Sequence, residues 1–295
     1  MREAEGRFGG LVSIHRRVSA ARQRLLDAGI SHTESELGAR LLAQHVLGWT
    51  TERFLTDAQS AEPDGFGARY DSLVARRATR EPLAYIVGAR EFWGLDFEVS
   101  PAVLIPRPST ELIVEAVLDR FPDRDAALKI ADVCTGCGCV AVAIAHEWRR
   151  ASVAATDIST EALDVAQRNA RRHGVWERVV FHETDLLDGV DGPFDAIVAN
   201  PPYVVDCAAA ALQPEVRDHE PAVALFGGVD GLSLVTRLVA DAPRRLRSGG
   251  SLIFEFGFGQ DVEIEDLLAA SPDLELVDVR RDLDGIARTA VARKK

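Results

Sequence analysis

The sequence predicts an α/β fold in which a mostly parallel sheet carries helices on both faces, preceded by a small helical domain. Three observations support this prediction. From residue 129 onwards, short apolar runs alternate with amphipathic helical patterns, as in parallel strands joined by helical crossovers. Residues 10–80 show only the helical spacing of apolar side chains. Residues 82–100 have the character of short strands around a glycine-containing turn.

Residues 1–80 are predicted to form the helical domain. In "LVSIHRRVSAARQRLLDAGI", apolar residues recur at helical spacing against an arginine-rich face. "SHTESELGARLLAQHVLG" offers a serine or threonine N-cap, acids in the first turn, and Gly48 as a stop. A third helix is predicted in "GFGARYDSLVARRATR", and Pro82 closes the region.

Residues 81–101 are predicted to form a β-hairpin connector to a larger domain at 102–295. Its strands are expected at residues 85–87 (Tyr-Ile-Val) and 97–99 (Phe-Glu-Val). The following "LIPRPSTELIVEAVLDRF" passes from a proline-restricted loop into a helix, for which Ser109 or Thr110 is the expected N-cap.

The larger domain is predicted from its alternating pattern. The expected strands are, in chain order, "KIADVC", "SVAATDIS", "VVFHETDL", "FDAIVAN" and "GSLIFEFG". The expected helices are "VAVAIAHEWR", "TEALDVAQRNARRHG", "GLSLVTRLVADAPRRL" and "QDVEIEDLLAAS". "LELVDVRRDLDGIARTAVARK" predicts a closing pair of strands. In such sheets ligands bind at the carboxyl ends of the strands, so these ends are the expected position of the site.

Charge and composition limit the classes of function. The 295 residues contain 34 Lys+Arg and 46 Asp+Glu, a net charge of −12, which disfavours a nonspecific nucleic-acid binder. Residues 1–80 hold 12 Arg and 10 acids (+2), which leaves 22 − 36 = −14 for residues 81–295. No apolar run approaches the roughly 20 residues of a membrane helix, and the first residues lack the apolar core of a secretory signal. A cytoplasmic protein that does not bind membranes is expected.

A small-residue turn and two acids are the expected ligand contacts at three strand ends. The first strand leads into Cys134-Thr135-Gly136-Cys137-Gly138, where small residues let the backbone approach a ligand. Asp157 ends the second strand, a position from which a carboxylate can hold a ribose diol. Asp185 ends the third. The turn is not the dinucleotide form G-x-G-x-x-G, and the combination favours an adenosine ligand.

The cysteines are expected to be reduced thiols in small-residue positions. Cys134 and Cys137 form a C-x-x-C pair, but no second Cys or His pair stands at metal-ligand spacing. A steric role in the turn is therefore preferred to metal or redox chemistry, and no metal site is predicted.

The fourth strand ends in Asn200-Pro201-Pro202-Tyr203. A planar NH₂ group has two donors and needs two acceptors placed like a fork. The Asn200 side-chain oxygen and the Pro201 carbonyl can supply them, because the prolines restrict the backbone that carries this carbonyl. Tyr203 offers a flat apolar face to cover the planar group. The alternative is a strand that runs into a rigid loop without a ligand.

With these residues the sequence resembles the class I, Rossmann-like S-adenosylmethionine-dependent methyltransferases with an Asn-Pro-Pro-Tyr motif. More closely, it is similar to the HemK-type protein-(glutamine-N5) methyltransferases that modify peptide chain release factors. The shared segments span nearly the whole chain: "PLAYIVGAREFWGLDFEV", "VLIPRPSTE", "ADVCTGCGC", "ATDIS", "NPPY", "PEVRDHEPAVALFGGVDGL" and "GGSLIFEFGFGQ".

The resemblance implies a role for each matched position. The turn from Cys134 to Gly138 would line the methionine and ribose part of S-adenosylmethionine. Asp157, with Ile158, would bind the ribose. Asp185 and Leu186 would border the adenine. The amide of the acceptor glutamine would be held by Asn200, which also adjoins the cofactor, and by Pro201, with Pro202 and Tyr203 completing the motif. Arg107 would help close the pocket, and the N-terminal helices would dock a release factor.

One departure leaves the acceptor open. Ser109 stands in "RPSTE" where family members usually carry Glu, so pocket closure can differ there. The alternatives are glutamine methylation of a ribosomal protein, methylation of a small metabolite or peptide, and a non-catalytic docking module that only binds the cofactor. The intact Asn-Pro-Pro-Tyr disfavours the last. A DNA adenine methyltransferase is disfavoured by the −14 charge of residues 81–295.

Overall fold

The computed structural model describes residues 12–295 and divides the chain into two compact units, Met1–Val87 and Gly88–Lys295. Within the described part of the first unit, five α-helices surround an apolar core that includes Leu25, Leu42 and Tyr70. The helices are α1 (Ile14–Asp27), α2 (His32–Leu47), α3 (Thr51–Asp57), α4 (Phe66–Ala78) and α5 (Leu83–Val87).

Local capping explains where the longest of these helices begins and ends. The Ser31 hydroxyl accepts a hydrogen bond from the backbone N–H of Glu34 at the start of α2. Gly48 ends the helix in the left-handed region, with φ of 64°, as the sequence predicts. The prediction of helices in residues 12–80 is confirmed; the part that falls on residues 1–11 lies outside the described residues.

The predicted first strand of the hairpin is wrong. Residues 85–87 belong to α5, which begins directly after Pro82 and buries Ile86 in the core of the first unit. A short apolar run fits a buried helix turn as well as a strand, and the proline favours the start of a helix. The hairpin lies further along, as β1 (Ala89–Phe92) and β2 (Leu95–Glu98). Its two turn residues, Trp93 and Gly94, both have positive φ, as a type I′ turn requires.

The second unit contains a seven-stranded sheet in the order β5-β4-β3-β6-β7-β9-β8. Its strands are β3 (Lys129–Val133), β4 (Ser152–Asp157), β5 (Val179–Glu183), β6 (Phe194–Ala199), β7 (Leu246–Glu255), β8 (Leu274–Arg281) and β9 (Ala287–Lys294). The first five are parallel, and β9 runs antiparallel between β7 and β8. The predicted parallel sheet with a closing pair of strands is confirmed.

Helices connect the strands of this sheet and cover both faces. They are α6 (Glu111–Arg120), α7 (Cys139–Glu147), α8 (Thr160–Arg172), α9 (Pro214–His219), α10 (Ser233–Arg245) and α11 (Asp261–Ala269). All six residues of β6 are buried, so both of its faces are covered by other elements.

The strand order places the carboxyl ends of β4, β3, β6 and β7 side by side. The chain moves outward from β3 to β4 and β5, then crosses to β6 on the other side of β3. This reversal creates a crevice at the carboxyl end of β3, where open α/β sheets bind ligands. Within residues 12–295, no helix combines the length and apolar character that crossing a membrane requires.

Candidate active site

A cavity opens at this edge of the sheet and collects most of the residues that the sequence singles out. Ten of them line it: Cys134, Thr135, Gly136, Cys137, Asp157, Ile158, Asp185, Leu186, Asn200 and Pro202. Four predicted residues do not line it, namely Arg107, Gly138, Pro201 and Tyr203. Other lining residues are Ala102, Val103, Leu104, Pro106 and Thr110, which precede α6, and apolar side chains such as Phe226 and Leu234.

The turn after β3 has the backbone of a close-approach loop. Cys134, Gly136 and Gly138 all have positive φ, at 59°, 55° and 80°. A Cβ at Gly136 would meet no atom within 4 Å, which leaves the backbone of the turn open. A Cβ at Gly138 would lie 3.0 Å from the Cβ of Ala166 in α8. Gly138 therefore lets the turn pack against α8.

Three carboxylates stand at successive strand ends in different states of solvation. Asp132 is buried, accepts hydrogen bonds from the Thr135 hydroxyl (2.6 Å) and the Ala141 N–H (3.0 Å), and has its pKa raised by burial to about 7. Asp157 accepts from the Gly136 N–H (2.9 Å), and burial raises its pKa as well. Asp185 is about half exposed and pairs with Arg237 at 2.7 Å.

The thiols of Cys134 and Cys139 have raised pKa values. Burial raises the pKa of the Cys134 thiol, and a hydrogen bond with Cys137 together with burial raises that of Cys139. A protonated thiol is a poor nucleophile and a poor metal ligand. In the described part of the chain, no three His, Cys, Asp or Glu side chains stand close enough together to hold a metal ion.

The Asn200 side chain is held by a short chain of hydrogen bonds. Its Nδ2 donates to the Thr110 hydroxyl (3.1 Å), which donates to Glu255 Oε2 (2.7 Å). Ser109 (3.2 Å) and Tyr203 (3.0 Å) also donate their hydroxyl hydrogens to Glu255, at Oε1. Burial raises the pKa of Glu255, while the three hydroxyl donors and the charge of Arg288 act in the opposite direction.

The two acceptors predicted for the substrate amide receive no hydrogen bond from the described residues. No described residue donates a hydrogen bond to Asn200 Oδ1 or to the Pro201 carbonyl. Both prolines are buried beside them. Asn200 itself lines the cavity.

Two predicted residues are engaged elsewhere. The Tyr203 hydroxyl is bound to Glu255, and its carbonyl accepts from Gln260 Nε2 (3.2 Å), so the ring stands behind the cavity wall. Arg107 forms an ion pair with the buried Glu220, which also accepts from the Ile105 N–H (3.1 Å). Arg107 thereby fixes the loop whose neighbouring residues line the cavity.

Sequence reasoning missed Glu255, Thr110 and Glu220 as functional residues. Ser109 or Thr110 was expected to cap α6, and Thr110 does occupy the N-cap position, but its hydroxyl binds Glu255 and makes no capping hydrogen bond. Glu255 does leave a trace in the sequence, since it is an acid within the apolar run "LIFEF" of a buried strand. Such an acid must find donors in the fold, but the sequence does not name them.

Comparison with known proteins identifies the family. A family model of the PrmC N-terminal domain matches residues 18–88, and one of the methyltransferase small domain matches residues 108–215. The chain is 39% identical to the release factor glutamine methyltransferase of Koribacter versatilis, over 92% of this chain and 98% of the relative. It is also 39% identical to that of Bradyrhizobium diazoefficiens, over 97% and 96%. The chain belongs to the release factor glutamine methyltransferase family.

Solved structures support the fold of this family member. A methyltransferase from Pyrococcus furiosus superposes with a TM-score of 0.52 at 19% identity, covering 75% of this chain and 98% of its own. The hMettl16 catalytic domain, in complex with a MAT2A 3′UTR hairpin, gives 0.54 at 14% identity, covering 99% and 94%. The class I methyltransferase fold and the S-adenosylmethionine-dependent activity predicted from the sequence are confirmed.

The cavity of this family member fits its methyl donor. Thr156 lines the cavity, is fully buried, and has a hydroxyl with no partner among the described residues, so a polar ligand atom or water has a place beside it. The carboxylates of Asp132, Asp157 and Asp185 complement the ammonium, sulfonium and hydroxyl groups of S-adenosylmethionine. The apolar walls suit its adenine ring.

Proposed function

We propose that this chain transfers a methyl group from S-adenosylmethionine to the side-chain amide nitrogen of a glutamine in a peptide chain release factor, in the cytoplasm. The observation that carries the proposal is a pair of acceptors without a donor among the described residues, Asn200 Oδ1 and the Pro201 carbonyl, in a segment of which Asn200 and Pro202 line the cavity. The names of the relatives support the release factor as acceptor.

In this proposal the cofactor contacts come from the first three strand ends. The turn from Cys134 to Gly138 borders the methionine and ribose, with Gly138 acting through its packing on Ala166. Asp157 and Ile158 hold the ribose, and Asp185 and Leu186 border the adenine. S-adenosylmethionine supplies an electrophilic methyl group on a sulfonium, which leaves as a neutral thioether.

The protein's task is then to prepare a poor nucleophile. An amide nitrogen is weakly nucleophilic because its lone pair is delocalised onto the carbonyl. Asn200 Oδ1 and the Pro201 carbonyl accept its two N–H bonds, which holds the nitrogen in line with the methyl group. Both acceptors also stabilise the positive charge that develops on nitrogen as the new bond forms, and the methylated amide then loses one N–H proton to solvent. Tyr203 supports this geometry from outside the cavity, and Pro202 forms part of the cavity wall.

The acceptor is tested directly with labelled S-adenosylmethionine. The protein is incubated with a purified release factor, ribosomal proteins, DNA, or a small-metabolite extract. We expect label on the release factor and none when the acceptor glutamine is changed to alanine. Label on a ribosomal protein, on DNA or only on a small molecule would show that this molecule, and not the release factor, is the methyl acceptor.

The amide fork is tested by Asn200→Ala. We expect methyl transfer to fall by about 10²–10³-fold, the size of effect seen when one preorganised hydrogen-bonding group is removed. The dissociation constant of S-adenosylmethionine should stay within about threefold, because the residues at the other three strand ends keep their contacts with the cofactor. Transfer close to that of the wild type would exclude Asn200 as an acceptor.

A further inference from the structure

The carboxylate of Glu255 is an unusual feature of the buried sheet. Glu255 ends β7, has no exposed surface, and stands between the buried Phe254 and Phe256. Strand pairing aligns Phe254 with Ala199, so Glu255 follows beside Asn200 at the same edge. Burying a carboxylate is unfavourable unless donors surround it, and the chain brings three hydroxyl groups to it from two distant segments.

The direction of these hydrogen bonds determines the orientation of the Asn200 amide. The Thr110 hydroxyl donates to Glu255 Oε2 at 2.7 Å, so its hydrogen points at that oxygen. The Thr110 oxygen is then left as an acceptor, and the amide group that faces it at 3.1 Å must be the NH₂ of Asn200. In the flipped amide, Oδ1 would face a hydroxyl oxygen whose hydrogen is already used, and the two oxygens would repel each other.

We propose that Glu255 and Thr110 are positioning residues for methyl transfer: through the Thr110 hydroxyl, the Glu255 carboxylate selects the amide orientation in which Asn200 Oδ1 accepts from the substrate NH₂. This inference rests on the proposed function. The same carboxylate binds the Tyr203 hydroxyl at 3.0 Å, so both ends of the Asn-Pro-Pro-Tyr segment are anchored to one group. Neither Glu255 nor Tyr203 lines the cavity.

The chain offers a matched set of variants. Thr110→Val keeps the β-branched shape and removes the hydroxyl, whereas Thr110→Ser keeps the hydroxyl and removes the methyl group. Ser109→Ala removes a donor to the same carboxylate without touching Asn200. If the hydroxyls served only to solvate Glu255, Thr110→Val and Ser109→Ala would lower kcat by similar factors. A relay to Asn200 makes Thr110→Val the more damaging of the two.

We expect Thr110→Val to lower kcat by about 10–100-fold with the S-adenosylmethionine dissociation constant within about threefold, and Thr110→Ser to restore most of kcat. The loss in Ser109→Ala should be at least about tenfold smaller than that in Thr110→Val. Equal losses in Thr110→Val and Ser109→Ala, or no rescue by Thr110→Ser, would overturn the relay. So would a Thr110→Val kcat within about threefold of the wild type.

A spectroscopic measurement separates this inference from the acceptor assignment. The sequence contains two asparagines, Asn169 and Asn200, so selective ¹⁵N labelling of asparagine gives two side-chain NH₂ signals. Asn169 Nδ2 donates to two carbonyls elsewhere and serves as the internal control. In Thr110→Val we expect the chemical shift of the Asn200 NH₂ signal to change and its hydrogens to exchange faster with solvent. In Thr110→Ser both should stay as in the wild type. An unchanged Asn200 signal in Thr110→Val overturns the positioning role, whereas absence of label on the release factor with the wild type overturns the proposed acceptor alone.

Discussion

Asp132 shows how a single buried carboxylate couples this fold to pH. Its pKa is about 7 in the folded protein because burial outweighs the hydrogen bonds from Thr135 and Ala141. The unfolded chain has the ordinary value near 4, so between these values the folded state binds more protons than the unfolded state. The contribution of Asp132 to the free energy of unfolding is fully present below about pH 4 and is lost as the pH rises to about 7.

We therefore expect Asp132→Asn to flatten the pH dependence of stability. In denaturant unfolding, the free energy of unfolding of the wild type should fall relative to that of the variant by up to a few kcal/mol between about pH 4 and pH 7. Above that range the two curves of free energy against pH should run parallel. The test uses the protein without S-adenosylmethionine, because a bound cation would change the pKa of the same carboxylate. Parallel curves across the whole range would show that Asp132 has an ordinary pKa.

The sequence predicts the positions of several site residues but not the residues that hold them. Asn200, Asp157 and the Cys134–Gly138 turn could be placed at one sheet edge from strand-end positions alone, and their positions around the crevice agree with that. The partners of Asn200 could not be predicted. Thr110 is 90 residues away from it, and Glu255 is 145 residues away from Thr110, so only strand order and loop packing bring the three together.

At the scale of elements, the glycine-rich loop before α10 supports the Asn-Pro-Pro-Tyr segment through backbone contact. A Cβ at Gly227 would collide with the Pro202 carbonyl, and one at Gly231 would collide with the Tyr203 carbonyl. The Gly227 N–H also donates to the Val204 carbonyl at 2.9 Å, which ties the loop to the chain just after Tyr203. Glycine at these positions lets the loop approach as closely as it does.

Gly231→Ala tests this support, with Gly285→Ala as its matched control. Both glycines have positive φ, 74° and 77°, but a Cβ at Gly285 meets no atom within 4 Å. Gly285→Ala should cost about 1–2 kcal/mol of stability from backbone strain alone. Gly231→Ala should add about 1–3 kcal/mol for the collision and lower kcat for methyl transfer by displacing Tyr203. Equal melting temperatures and equal kcat for the two variants would mean that the loop gives the motif no support.

On the scale of the whole molecule, the cavity lies entirely within Gly88–Lys295, since its lining residues begin at Ala102. The described part of the first unit, residues 12–87, contains none of these residues and has its own core. Its predicted role is to dock the protein substrate, and the charges of the two parts differ, with +2 for residues 1–80 and −14 for residues 81–295.

A truncated chain of residues 88–295 tests this division. We expect S-adenosylmethionine to bind with a dissociation constant within about threefold of the full chain, because every cavity residue is retained. Methyl transfer to the release factor should show a KM raised by about tenfold or more, since a separate docking surface is lost. Methylation of a short glutamine peptide should change little. An unchanged KM for the release factor would contradict a docking role of the N-terminal helices.

The sequence by itself determined the fold class and the strand ends that border the cavity, and it predicts the amide chemistry of Asn200 and Pro201. These follow from local rules, namely hydrophobic period, small-residue turns and the restricted backbone of proline. The tertiary structure decided that residues 85–87 are helical, that Tyr203 and Arg107 act from behind the wall, and that Glu255 sets the Asn200 amide through Thr110. Those outcomes depend on contacts between residues far apart in the chain, where burial and hydrogen-bond partners are settled only when the whole domain has folded.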